Sequence, residues 1–130
     1  NPMIYDGDDC GFQKGSVQSC EGFGFFEWGT IDTHFNQRGR IPRLVQFLSR
    51  GINTLGIGLD ENTAVTVSPG DHFEVLGTGI VTVLDAENIG YTNYNEVDIS
   101  DYYSTAGVKL SFLSSGTVYN LKTKRVTVNA

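Results

Sequence analysis

Apolar positions follow helical spacing in one part of this chain and strand-like spacing in most of the rest. Leu44, Val45, Phe47 and Leu48 give one apolar face at helical spacing. Asn36 and Gln37 can open that helix, Pro42 falls within its first turns, where proline is tolerated, and Gly51 fits its stop. Beyond it the pattern shortens. Residues Thr54 to Leu59, Thr63 to Val67, His72 to Leu76 and Ile80 to Leu84 read as strands. Ser68-Pro69-Gly70-Asp71 makes a turn, and Gly77 and Gly79 bracket the next break. Val108 to Leu113 and Thr117 to Leu121 alternate like the arms of a hairpin around Ser114-Ser115-Gly116, and Arg125 to Val128 is a last strand. Gly22 to Ile31 mixes aromatic and small residues as in a buried strand approaching an active-site edge. Residues 1–20 are rich in Gly, Asp and Ser without a period and read as a long loop. Residues 86–107 are polar and carry no assignable period.

Strand, helix and then a run of strands suits the C-terminal half of an α/β domain that is β-rich in its last third. One helix cannot cover both faces of a parallel sheet, so more polypeptide is expected to complete it. The 130 residues fit one domain, and 39% hydrophobic with 18% charged residues is a globular composition. No run reaches the roughly 20 apolar residues of a membrane span, and no stretch has a signal-peptide layout. The net charge of -6, without a basic stripe, argues against nucleic acid as a partner. Asn1 is not an initiator methionine, so a processed or cut chain is expected. Cys10 and Cys20 match no four-ligand zinc site. A local disulfide between them is the expectation, with two free thiols as the alternative. The disulfide would imply an oxidising compartment and a secreted or extracytoplasmic location.

Charge is not spread evenly. Residues Ile31 to Leu44 hold Arg38, Arg40 and Arg43, three of the five arginines, together with Asp32 and His34, one of two histidines. Cations beside a group that titrates near neutrality suit a site for an anionic substrate. Arginines at i, i+2 and i+5 cannot share one helical face, so one or two are expected to face the pocket. At least one is expected to pair with Asp32 or another acid.

The same stretch, Asp-x-His-Phe-x-x-Arg-x-Arg-x-x-Arg-Leu, resembles the core motif of cyanophycinase-like serine peptidases, which are related to the aspartyl dipeptidases. The resemblance continues in Gly56-Ile57-Gly58-Leu59-Asp60-Glu61-Asn62-Thr63-Ala64 and runs to Asp85, covering residues from about Gly22. It implies a glutamine-amidotransferase-like (flavodoxin-like) three-layer sandwich, of which this chain is the C-terminal half. It implies His34 as the catalytic base, and Glu61, just after a strand that reads as buried, is favoured as the acid that orients it, with Asp60 as the competitor for that role. Arg38, Arg40 and Arg43, with Asp32 and Thr33, match the substrate pocket. Thr33 departs from the family's glutamine, which bears on which substrate is cut. No metal or cofactor is implied.

A serine peptidase also needs a nucleophile. The family's serine lies in a Gly-x-Ser-x-Gly elbow well before the histidine, and neither Gly15-Ser16 nor Ser19-Cys20 forms one. The expected partner is therefore the N-terminal fragment of the same precursor, carrying the serine in a two-chain unit open to homo-oligomerisation, with residues 1–21 as an exposed loop at the cleavage site. The expected reaction is hydrolysis of a peptide or isopeptide bond next to aspartate, with no nucleic acid and no membrane involved. Two alternatives remain: an inactive binding or structural protein on the same scaffold, and an unrelated β-rich module using the tyrosines at 91–103.

Overall fold

The computed structural model describes residues 2–69 and 71–128. In chain order these form β1 (Pro2–Asp6), β2 (Gln18–Glu21), β3 (Thr30–Thr33), α1 (Ile41–Ser49), β4 (Leu55–Leu59), β5 (Thr63–Ser68), β6 (His72–Gly77), β7 (Val81–Asp85), β8 (Tyr91–Thr92), β9 (Thr105–Ala106), β10 (Lys109–Leu113), β11 (Thr117–Asn120) and β12 (Val126–Val128). The class is α/β, with one helix among many strands. Four strands make a mixed sheet in the order β10-β7-β4-β3, in which β3 and β4 run parallel. Four more make an antiparallel sheet in the order β12-β11-β6-β5. Two ribbons, β1-β2 and β8-β9, complete the set.

The sequence of β4, Leu-Gly-Ile-Gly-Leu, explains how the layers assemble. Side chains alternate across a strand. Leu55 and Ile57 enter one core with Val81, Val83, Leu113, Phe73, Val75 and Tyr119, between the two sheets. Gly56 and Gly58 turn to the opposite face, where the second core holds Phe35, Leu44, Phe47, Leu48 and Leu84. Glycine there lets the helix side come close. A Cβ on Gly56 would stand 2.8 Å from Leu44 Cδ2, and one on Gly58 would collide with the Phe35 ring. Phe35 is fully buried. Gly58→Ala is therefore expected to cost about 1–3 kcal/mol by overpacking, read as a lower urea midpoint.

Several expectations change. Residues 1–20 are not one long loop: β1 and β2 pair, with Ile4 buried between the more exposed Met3 and Tyr5. That short alternation is masked by the Gly- and Asp-rich connection between the strands. Gly22 to Ile31 is strand only from Thr30, and Phe23 and Phe25 are exposed and stacked on each other. The expected disulfide is absent, since Cys10 and Cys20 are both free. Cys20 sits opposite Met3 along the ribbon, while Cys10 lies in the connection beyond the Asp6–Gln18 end, so the chain carries the two apart. The expected hairpin of 108–121 is a corner instead. β10 pairs with β7 in one sheet and β11 with β6 and β12 in the other, and the Gly116 N–H is bonded to the Val75 carbonyl. Leu113 and Tyr119 both face the core between the sheets, which leaves the same alternation a hairpin would show. Of the turn expected at 68–71, Gly70 lies outside the described residues. Asn1, read above as a sign of processing, lies outside them too.

Candidate active site

Parallel pairing of β3 with β4 sets Thr33 beside Leu59, the last residue of each strand. Whatever follows one strand therefore stands next to whatever follows the other, at the carboxyl edge where open α/β sheets place their chemistry. His34 follows β3, and Asp60 and Glu61 follow β4. The Phe35 N–H donates to the Leu59 carbonyl at 3.1 Å and ties the two exits together.

Residues 34–39 form a tight turn rather than the start of the helix. His34 has φ +47° and Gly39 φ +56°. Asn36 and Gln37, expected to open the helix, reach across to the β4 exit. Asp60 Oδ1 accepts from both the backbone N–H and the side-chain amide of Asn36, each at 3.0 Å, and Oδ2 accepts from the Ile80 N–H at 3.2 Å. Gln37 Oε1 accepts from the Glu61 N–H at 3.1 Å. Asp60 is thereby held in backbone-pinning bonds, and Glu61 is the acid that meets the histidine, with Oε1 3.1 Å from His34 Nδ1. Both side chains are about half exposed, at 49% and 53%. With the shared proton on Nδ1, Nε2 is the nitrogen left to accept another. Glu61→Gln is accordingly expected to lower turnover and to move the His34 ring signals seen by NMR. Asp60→Asn is expected to act mainly on stability, and a reversed pattern would exchange the two roles.

The cations are arranged differently. Asp32 and Arg43 are buried and joined by two bonds, Nε to Oδ2 at 2.8 Å and Nη2 to Oδ1 at 2.5 Å. Burial disfavours the Arg43 charge, but Asp32, then Asp8 and Asp6, outweigh it and raise the pKa. Arg40 is buried as well. Its Nε and Nη2 hold the two oxygens of Asp8 at 2.7 and 3.2 Å, and its Nη1 donates to the Thr33 carbonyl at 2.6 Å. Arg43 Nη1 adds a third bond to Asp8, at 3.0 Å. The Arg40 hydrogen bond, over the opposing effect of burial, holds the Asp8 carboxyl below its usual range, with Arg43 and Arg38 adding to it. Arg38 is the open cation of the three: its side chain is 55% exposed and 3.7 Å from Asp8. Thr33 is exposed at the end of β3.

The structure thus brings His34 and Glu61 together and leaves Arg38 and Thr33 facing outward near them. It gathers Asp32, Arg40 and Arg43 into an internal ion network. Asp8, Asn36 and Gln37 escaped the sequence reading. Asp8 carries no local signal, because it lies 24 residues before Asp32 in a segment with other acids. Asn36 and Gln37 were legible only as helix openers. Among the described residues no group of three or more His, Cys, Asp or Glu side chains is placed to hold a metal ion.

No family model matches the chain. It is 36% identical over 110 residues to the cyanophycinase of Synechococcus elongatus, covering 85% of this chain and 34% of that protein. It is 36% identical over 107 residues to the cyanophycinase of Geminocystis herdmanii, covering 82% and 39%. With that of Trichormus variabilis it shares 30% over 110 residues, covering 85% and 37%. These matches support a cyanophycinase-like family. The chain spans a little over a third of the length of the curated relatives it matches.

Proposed function

We propose that this cyanophycinase-like chain is the C-terminal part of a serine hydrolase on a glutamine-amidotransferase-like scaffold, cleaving peptide or isopeptide bonds next to aspartate. The observation that carries the reading is the His34–Glu61 pair at 3.1 Å, set at the joint carboxyl edge of β3 and β4 while Asp60 is engaged elsewhere. A base oriented by an acid is two-thirds of a triad. The serine belongs to the N-terminal fragment of the same precursor, which docks against this chain.

In the proposed reaction that serine Oγ attacks the carbonyl carbon next to aspartate and gives its proton to His34 Nε2. Glu61 keeps the ring oriented and stabilises the imidazolium. The C–N bond then breaks, Nε2 passes the proton to the leaving amine, and an acyl-enzyme remains. Water, activated by the same nitrogen, releases the acid and restores the serine. Arg38 is the group with reach and exposure to meet a substrate carboxylate, through the fork that guanidinium offers and ammonium does not.

The test is hydrolysis of aspartyl-linked and matched alanyl peptides by the protein containing this chain together with its upstream partner segment. Cleavage of the aspartyl peptides is expected, and Arg38→Lys is expected to weaken it more than any cleavage of the alanyl ones. Equal losses on both would assign Arg38 to structure. Tight binding of aspartyl peptides without turnover would favour the inactive binding protein on the same scaffold.

A further inference from the structure

His34 is held in a backbone conformation that a histidine adopts uncommonly, and part of what holds it traces to a residue far along the chain. At φ +47° the residue persists only where its surroundings over-determine it. Arg40 grips the turn on both sides of it. The Arg40 side chain donates to the carbonyl of Thr33, just before His34, and the Arg40 backbone N–H donates at 2.9 Å to the carbonyl of Phe35, just after it. The backbone half of that grip needs only the turn. The side-chain half needs the guanidinium aimed at Thr33, and what aims it is Asp8, which takes Nε and Nη2 with its two oxygens.

We infer that Asp8 is a positioning residue for His34, acting through Arg40. Asp8 itself makes no bond to the histidine. Its carboxylate is the shape that fixes a planar guanidinium at two points and leaves the remaining Nη1 pointing at one carbonyl. Without it, the competing acceptor is Asp32, whose Oδ1 already stands 3.7 Å from Arg40 Nη1. A turn of the guanidinium toward Asp32 would release the Thr33 carbonyl. Asp8 is in turn held by a loop that has an internal anchor. Gln46, fully buried on α1, accepts from the Gly15 and Val17 N–H groups and donates to the Gly11 and Gln13 carbonyls and to Ser16 Oγ. The connection between β1 and β2 is thus fastened to the helix and presents Asp8 from a fixed position. The link to catalysis rests on the function proposed above; the link from Asp8 to the conformation of His34 does not.

Two variants test it, Asp8→Asn and Arg40→Lys, in the protein containing this chain. Asn keeps one acceptor oxygen, and Lys keeps the charge but cannot hold a carboxylate and the Thr33 carbonyl in one planar fork. The primary readout is NMR of His34, assigned by the loss of its signals in His34→Asn. In both variants the positive-φ signature of its backbone coupling and carbon shifts is expected to weaken and its ring signals to move. Those of His72, on β6 in the other sheet, should stay in place. Unchanged His34 signals in either folded variant overturn the inference, whatever the activity. The second readout is kinetic: kcat is expected to fall about 10²-fold with KM little changed, the pattern of a misplaced base. A rise in KM with kcat intact would make Asp8 and Arg40 substrate-binding groups and overturn the positioning role. If the parent protein cleaves nothing, the proposed function fails, and the NMR result still decides this one.

Discussion

Replacing His34 with asparagine is expected to cut turnover by about 10³-fold or more while the protein stays folded, because loss of a triad base removes proton transfer in both halves of the reaction. Asparagine is a better probe than alanine here. Position 34 has φ +47°, which asparagine tolerates and a residue with only a Cβ does not. Alanine would mix a backbone penalty into the result. The His34 ring is about half exposed and bonded to an equally exposed Glu61, so its removal leaves no buried charge behind. Urea midpoints of parent and variant should therefore agree closely while kcat collapses. Near-normal kcat in the asparagine variant would remove His34 from the mechanism, and with it the main support for a hydrolase.

The contrast between that exposed pair and the buried ions beside it explains which parts of the site the sequence could reveal. His34 and Glu61 are separated by a helix and a strand, yet they stand at the exits of two parallel neighbours. The strand at β4 and the amphipathic α1 were legible as pattern, but the parallel pairing of β3 with β4 that makes the joint edge was not. The arginine cluster was visible as charge, but its direction was not. Arg40 and Arg43 turn inward because Asp8 and Asp32 meet them there. Asp8 arrives on a glycine-rich connection whose hold on the helix runs through Gln46, a residue with no pattern to mark it. The start of the helix was misread for a related reason. Asn36 and Gln37 have side chains suited to opening a helix, and here they are used across the sheet edge, on Asp60 and Glu61. The corner at 114–116 misled because alternation reports which face is buried, not which neighbour a strand takes. In each case the partner was fixed by a contact distant in sequence.

The same buried network supplies the largest expected loss of stability. Asp32 is 3% exposed and Arg43 4% in the side chain, joined at 2.5 and 2.8 Å. Replacing Asp32 with alanine leaves the guanidinium buried without its main counter-charge, and removing one partner of such a pair costs about 3–5 kcal/mol. Arg43 keeps its bond to Asp8 at 3.0 Å, which places the expectation toward the lower end of that range. The denaturant midpoint should fall with the slope unchanged, since the same surface is exposed on unfolding. The double variant Asp32→Ala with Arg43→Met should recover much of the loss, because a buried pair replaced by apolar groups of similar volume is often neutral or better. Recovery of stability in the double variant would show that Asp32 serves the fold by neutralising Arg43. A single variant with an unaltered midpoint and a raised KM for aspartyl peptides would instead place Asp32 at the substrate. Its near-complete burial is the physical reason to expect the first outcome: a buried carboxylate with both oxygens engaged by one guanidinium has no face left to offer a ligand.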